Sequence, residues 1–117
     1  LSDLPERMLA AEVTREKLFL NLHQELPYSL TVETEDWEDF DNGSARIAQT
    51  VTVQRDTHKA ICLGKGGRTI KAVRQAAQAE LEAILGRKVH LFLDVKVREN
   101  WADDPARYRR WGLDFDV

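Results

Sequence analysis

The stretch AICLGKGGRTIKAVR, residues 60–74, decides the fold of this chain. Three glycines surround Lys65 at its centre, an apolar run precedes them, and a basic pattern of helical spacing follows. The sequence therefore predicts a flexible, cationic joint between two helices. Such a joint holds a nucleotide phosphate, clamps a nucleic-acid backbone, or serves as a simple turn.

A nucleotide-binding P-loop is the first alternative, and it needs the pattern G-x-x-x-x-G-K-[ST] after a strand. Here Lys59 stands where the first glycine belongs, and Gly66 follows Lys65 where a serine or threonine is required. The segment before the joint also has a helical pattern rather than that of a strand. The P-loop interpretation fails on these three counts.

A backbone clamp fits the glycines better. Glycine lets a nucleic-acid backbone approach without a clash against a Cβ atom, and the amides at the start of the next helix meet phosphate oxygens. Lys65, Arg68 and Lys71 add positive charge. A G-x-x-G joint alone is a weak signal, because a glycine-rich turn between helices is the simpler alternative. Its place among the other elements makes the signal stronger.

The helices that flank the joint have clear expected boundaries. Asp56 or Thr57 is expected to cap a short helix that runs through Leu63, and Gly64 suits the left-handed position that ends it. The next helix is predicted from Arg68 to Leu85, where a glycine stops it. Its apolar stripe consists of Ile70, Val73, Ala77, Leu81 and Ile84.

The elements before the joint are a helix and two strands. The helix is predicted from Pro5 to Leu26, with Asp3 as its cap and Pro27 as its end. Its apolar residues recur near helical spacing: Leu9, Val13, Phe19, Leu20, Leu22 and Leu26. A strand is predicted from Tyr28 to Glu35.

The acidic stretch 33–45 predicts a loop between two strands, too long for a tight hairpin, with a turn at Asn42-Gly43. The second strand is marked by Ile47, Val51 and Val53.

A third strand and a short helix are predicted after the joint. Residues 89–97 alternate apolar and polar side chains, which is typical of a strand. Asp104-Pro105 starts a C-terminal helix that ends before Gly112. The order αββααβ predicts an α+β fold in which helices cover one face of a three-stranded sheet. We expect a single domain over 1–117, with a core at 1–98 and a helical extension at 99–117.

The bulk composition fits one globular domain without a membrane-spanning segment. The chain has 117 residues and a net charge of -3. One cysteine, Cys62, excludes an internal disulfide and suits a reducing compartment. Residues 1–44 hold three basic and eleven acidic side chains, whereas residues 45–98 hold eleven basic and four acidic ones. The basic middle therefore offers a local anion-binding face within an acidic protein.

The element order and the ICLGKGGRTIKAV motif resemble the type II KH fold, in which a G-x-x-G loop clamps about four nucleotides. More of the chain resembles one family, the C-terminal KH domain of the bacterial GTPase Era. The segments that carry the resemblance cover about half of the chain. They are EVTREKLFLNLHQELPYSLTVE (12–33), HKAICLGKGGRTIKAV (58–73) and VHLFLDVKVRENWADDPARYRRWG (89–112).

The resemblance implies binding of single-stranded RNA, in that family small-subunit ribosomal RNA near its 3′ end, and a role in maturation of the small ribosomal subunit. It implies a cytoplasmic protein, with peripheral contact to the inner membrane in the full-length form. The family's GTPase domain lies N-terminal to this region and is expected to be absent here. Since no nucleotide motif is present, we expect no GTP hydrolysis by this chain, no cofactor and no metal.

The family's site residues carry over by motif. The resemblance implies that Gly64, Lys65, Gly66 and Gly67 form the clamp. Three apolar residues are candidates for the groove floor under the bases, with ordinary core packing as the alternative: Ile61, Leu63 and Ile70. Three basic residues are candidate phosphate contacts, with a solvated helix face as the alternative: Arg68, Lys71 and Arg74.

Two further hypotheses follow from the residues themselves. The acidic N-terminal third, above all Glu33 to Asp41, suits docking of a basic protein partner or a GTPase domain. His58 and Cys62 stand four residues apart on one helical face, which allows a nucleophile dyad; a core cysteine is the simpler interpretation.

Overall fold

The structure is a computed structural model that describes residues 4–99. Its elements follow the predicted αββααβ order and give an α+β fold. They are α1 (Leu4–Asn21), β1 (Thr31–Asp39), β2 (Ala45–Val53), α2 (Asp56–Leu63), a 3-10 turn (Lys65–Gly67), α3 (Arg68–Leu85) and β3 (Val89–Val97). The C-terminal helix expected from Asp104 onward lies outside the described residues.

The sheet has the order β1-β2-β3, with β2 antiparallel to β1 and parallel to β3. A parallel pair needs a crossover, and α2, the glycine joint and α3 together supply it. Each residue of the central strand is buried or half-buried, with Ile47 and Val51 fully inaccessible. This crossover places the glycine joint at the end of the sheet where β2 and β3 finish.

The core fills the space between the sheet and one helical layer made by α1 and α3. One cluster joins both helices to the start of β2 and β3, through Ala10, Ile47, Ala77 and Leu81. A second cluster lies behind the glycine joint and includes Leu18, Cys62 and Val73. The glycine joint therefore rests on a packed apolar support.

The first helix differs from its sequence prediction in length and in the face it buries. It ends at Asn21 rather than Leu26, because His23 and Gln24 take left-handed φ angles of 59° and 67°. Its buried side chains are Ala10, Val13, Thr14 and Leu18. Leu9, Phe19 and Leu20, counted in the apolar stripe, are 43%, 39% and 53% exposed.

The acidic stretch is mostly a strand, so the prediction of a long loop was wrong. β1 continues to Asp39, and the chain turns over residues 40–44 to reach β2. A bulge between Thr34 and Asp36 shifts the register by one residue. Trp37 consequently faces the helices and is 8% exposed.

Smaller corrections concern the ends of helices. Arg55, not Asp56 or Thr57, occupies the N-cap of α2, and its side chain makes no capping hydrogen bond. Ile84, expected in the buried stripe of α3, is 47% exposed. The stripe narrows there because the buried positions of α3 end at Leu81.

Candidate nucleic-acid interface

The glycine joint begins where α2 ends. The amide of Gly64 donates to Ala60 O at 2.9 Å and closes the last turn of α2. Gly64 has φ 72° and ψ 171°, a combination that is essentially restricted to glycine. The predicted positive φ is confirmed, while the ψ lies outside the ordinary left-handed helical region.

Gly66 and Gly67 form an open corner at the start of α3. Their φ angles are 63° and 75°, and a Cβ atom added at either would meet nothing within 4 Å. The Gly67 amide donates to Gly64 O at 3.0 Å, and the Arg68 amide donates to Lys65 O. α3 begins directly after this corner, so the positive end of its dipole lies there. An anionic backbone has both the room and the charge to approach.

The predicted basic residues lie on one face of α3. Arg68, Lys71 and Arg74 follow each other at three-residue spacing, so their side chains are neighbours. Within residues 4–99 none of them, nor Lys65, makes an ion pair within 4.0 Å. A set of cations without local anions is free to bind phosphate.

Two basic side chains on the β1 side of the protein are, by contrast, already paired with acids. Arg46 Nη1 lies 3.0 Å from Asp36 Oδ2, and Arg87 Nη1 lies 2.7 Å from Asp39 Oδ1. Hydrogen bonds from Trp37 and Arg87 lower the pKa of Asp39 below its ordinary value. Asp36 and Asp39 of β1 therefore pair with cations on that side of the protein and not with those beside the glycines.

A cleft of about 400 Å³ runs between α3 and β3. Its lining residues are Arg74, Gln78, Lys88, His90, Leu91 and Phe92. Among the predicted site residues, the structure places Arg74 here. Lys88, His90 and Phe92 were missed by the sequence analysis. Their only sequence signal is the alternation of β3, which sets His90 and Phe92 on the same face.

β3 is an end strand of the sheet and presents main-chain groups to this cleft. Even-numbered residues of β3 direct their main-chain hydrogen bonds to β2. This follows from the hydrogen bonds that join Ala45 N to Lys88 O and Arg98 N to Val53 O at the two ends of the strand. The odd-numbered residues therefore turn their N–H and C=O groups outward.

Two of these outward amides are capped by α3. Val89 N donates to Glu82 Oε2 and Leu91 N donates to Gln78 Oε1, each at 3.0 Å. Along the part of the chain that the structure describes, no side chain caps Leu93 or Val95 in this way. The edge beside the first half of α3 thus offers unused hydrogen-bonding groups.

The three apolar candidates occupy different surroundings. Leu63 and Ile70 are partly buried and pack against the cluster behind the joint. Ile61 is 51% exposed and lines a separate cavity of about 290 Å³ with His58 and the chain after α1, residues 22–27. The structure therefore associates Leu63 and Ile70, but not Ile61, with the support under the joint.

Other chemistry is weakly represented. Burial raises the pKa of the Cys62 thiol, which opposes the thiolate form that a nucleophile requires. Among residues 4–99 no group of His, Cys, Asp or Glu is arranged to hold a metal ion. No helix in that same range combines the length and the apolar character that crossing a membrane would demand.

Comparison with known proteins identifies relatives with this arrangement. A family model described as KH domain matches residues 25–102. The GTPase Era of Mesorhizobium japonicum is 64% identical over 98% of this chain and 37% of that protein. The GTPase Era of Brucella suis is 60% identical with the same two coverages. The chain thus spans little more than a third of the curated relatives it matches.

Solved structures give the same result. A crystal structure of an Aquifex aeolicus Era variant bound to GDP and aluminium fluoride matches with a TM-score of 0.76 and 38% identity. The match covers 95% of this chain and 38% of that one. Era in complex with MgGDPNP and nucleotides 1506–1542 of 16S ribosomal RNA also matches with a TM-score of 0.76 and 38% identity. It covers 94% of this chain and 37% of that chain, and the expected resemblance is confirmed.

Proposed function

The chain belongs to the KH domain family, and we propose that it is a single-stranded RNA-binding module for the 3′ end of small-subunit ribosomal RNA. The observation that carries this proposal is the open corner at Gly66 and Gly67 beside cations that pair with no acid among residues 4–99. A phosphodiester backbone needs close approach and positive charge, and this corner provides both. Gly64, Lys65, Gly66 and Gly67 form the clamp.

The cations of α3 extend the clamp along the RNA backbone. Arg68, Lys71 and Arg74 neutralise successive phosphates, so affinity falls as salt rises. Phosphate contacts position the strand without reading its sequence.

Base recognition takes place opposite these cations, at the edge of β3. The outward N–H and C=O groups of Leu93 and Val95 hydrogen-bond to base edges. Leu63 and Ile70 support the floor from below, whereas Ile61, the third apolar candidate, lines the separate cavity beside residues 22–27. This division of labour lets the clamp hold about four unstacked nucleotides.

We infer the RNA target and the other partners from related proteins. Because a similar Era structure contains nucleotides 1506–1542 of 16S ribosomal RNA, we assign this chain the same class of RNA and a place on the maturing small ribosomal subunit. The chain itself has no catalytic role in this proposal. GTP hydrolysis would belong to a GTPase domain of a longer protein, which would act in the cytoplasm with peripheral contact to the inner membrane.

Fluorescence-anisotropy titration tests the proposal. The probes are a short RNA matching the 3′ end of 16S ribosomal RNA, a scrambled RNA and the equivalent DNA, each at two salt concentrations. We expect selective, salt-sensitive binding to the first RNA. Equal affinity for all three probes would reject the assigned target, and no binding at low salt would reject the RNA-binding role.

A double variant, Gly66→Asp with Gly67→Asp, tests the clamp itself. It puts two anions where phosphate is proposed to lie, so we expect binding to be lost while the fold is retained. Gly43→Asp is the matched control, because Gly43 also has a positive φ of 90° and open space but lies in the β1–β2 turn. Undiminished RNA binding by the double variant would contradict the clamp model.

Protein docking through the acidic N-terminal third is the second candidate function. Glu33, Glu35 and Glu38 are exposed on β1 and, within residues 4–99, make no ion pair. Replacing all three with glutamine should leave RNA affinity intact and weaken binding of a basic ribosomal protein. RNA binding that vanished with this change would contradict the separation of the two surfaces.

A further inference from the structure

We propose that Phe92, held beside Arg46 on the open face of the sheet, is a stacking subsite for one additional nucleobase of the bound RNA strand. This inference rests on the proposed RNA-binding function and extends the footprint beyond the clamp at residues 64–67. The open face is the one away from α1 and α3.

Phe92 is an exposed aromatic ring on an ordered strand. Buried residues of β3 alternate with exposed ones, so the side chain of Phe92 lies on the face of the strand opposite to that of Val89, Leu91 and Val95. Its exposed fraction is 52%. A single exposed apolar residue is common and needs no explanation by itself. Its neighbours are what indicate a ligand.

Arg46 is fixed next to the ring. Its guanidinium carbon lies 5.0 Å from the centroid of Phe92, a cation–π distance. Arg46 Nη1 also lies 3.0 Å from Asp36 Oδ2. Asp36 of β1, Arg46 of β2 and Phe92 of β3 therefore form a row across the sheet. The residue paired with Phe92 on β2 is Ala48, whose small side chain leaves space beside the ring.

The cleft connects this ring to the proposed RNA path. Phe92 and His90 line it from the open face, and Arg74 and Gln78 line it from α3. Arg74 stands six residues after Arg68, about 9 Å along the helix. Lys71 lies midway between them, so the row of basic residues that begins at the glycine corner leads into the cleft.

The cleft's charge favours a nucleic acid over a protein partner. Its ionisable lining residues are Arg74, Lys88 and His90, and no carboxylate from residues 4–99 lines it. Lys88 makes no ion pair with any of residues 4–99. A phosphate near these cations places the attached base over an aromatic ring, and base–aromatic stacking is sequence-tolerant.

RNA probes of different lengths distinguish binding at this subsite from binding at the clamp. The short probe has about four nucleotides, enough for the clamp alone, and the long probes extend it at the 5′ or the 3′ end. Phe92→Leu removes the ring and keeps an apolar side chain. We expect it to lower affinity for one long probe about tenfold and to leave affinity for the short probe unchanged. The matched control is Phe40→Leu, since Phe40 is 38% exposed in the β1–β2 turn.

A fluorescent base gives an independent readout. 2-Aminopurine placed in the extension should be quenched by the wild-type chain and not by Phe92→Leu. An equal loss for short and long probes would show that Phe92 only supports the fold, and no loss for any probe would show that it is not a subsite. If the wild-type chain binds neither probe, the proposed RNA-binding function fails; if it binds both and Phe92→Leu changes nothing, only this inference fails.

Discussion

Gly64 lies against Thr69, so the first glycine of the joint has no room for a side chain. A Cβ atom built on Gly64 would lie 2.7 Å from Thr69 Cβ and 2.9 Å from Thr69 N. Gly66 and Gly67 would meet nothing within 4 Å. The glycines of one motif therefore do different work: Gly64 lets α2 and α3 pack closely, and the other two leave an open surface.

The first prediction follows from this contact. Gly64→Ala should lower the free energy of unfolding by about 3 kcal/mol, because it combines a glycine-only backbone conformation with a clash against backbone. Gly67→Ala should cost only about 1 kcal/mol, the penalty for the left-handed conformation. Urea unfolding measures both.

Gly86→Ala is the control for that left-handed penalty, since Gly86 has φ 69° and open space at the end of α3. It should match Gly67→Ala in stability. Equal destabilisation by Gly64→Ala and Gly67→Ala would contradict the role assigned to Thr69.

The second prediction concerns the cations of α3. Arg68→Gln and Lys71→Gln should each weaken RNA binding and reduce the slope of log affinity against log salt by about 0.7. Arg15→Gln is the control, because Arg15 is exposed on α1 and pairs with no acid among the described residues. An unchanged slope for Arg68→Gln would mean that this side chain does not contact phosphate. Anisotropy titrations over a salt series provide the slopes.

The third prediction concerns a polar link inside the core. Gln49 is 2% exposed, and its Oε1 accepts a hydrogen bond from Thr14 Oγ1. Its Nε2 donates to Thr34 Oγ1 at 3.2 Å, which in turn donates to Arg7 O at 2.8 Å. Gln49→Leu should lower the free energy of unfolding by about 2 kcal/mol, because buried partners lose their hydrogen bonds.

A double-mutant cycle with Thr14→Val checks this link. Removing both partners should cost less than the sum of the single changes, as expected for directly bonded groups. Additive effects would show that Thr14 and Gln49 are energetically independent. Thr52→Val, on the opposite face of β2, should have little effect.

The sequence predicted the elements next to the glycine joint well. α3 spans Arg68–Leu85 and β3 spans Val89–Val97, as expected. Their signals are local: a regular apolar period in each and a glycine at the boundary. The order of elements then followed, and with it the α+β fold.

The errors have tertiary causes. The bulge at Glu35 shifts the alternation of β1 by one residue, so Trp37 faces the core. A strict two-residue alternation counted from Val32 would instead place Trp37 on the outer face of the sheet. In α1 a polar residue, Thr14, lies in the core because Gln49 satisfies it from another element. Neither feature is visible in hydropathy, since each depends on a partner distant in sequence. The cleft residues Lys88 and His90 were missed for the same reason.

The last prediction uses Asp39, which ties β1 to the turn before β3. Hydrogen bonds from Trp37 Nε1 at 3.0 Å and Arg87 Nη1 at 2.7 Å lower its pKa. Because the pKa of Asp39 is lowered in the folded state, its carboxylate stabilises the fold at pH values above the ordinary carboxyl pKa of about 3.9. This stabilisation is lost as the pH falls through the pKa of the folded state. Since the side chain is 32% exposed, Asp39→Asn should cost less than about 1 kcal/mol near neutral pH.

Urea unfolding from neutral pH to about pH 3 measures how this cost changes as the carboxylate of Asp39 becomes protonated. The gap in unfolding free energy between wild type and Asp39→Asn should shrink towards acid. Asp41→Asn controls for net charge, because Asp41 makes no ion pair among residues 4–99. A gap that stayed constant or widened in acid would show that the charge on Asp39 does not hold β1 to Arg87.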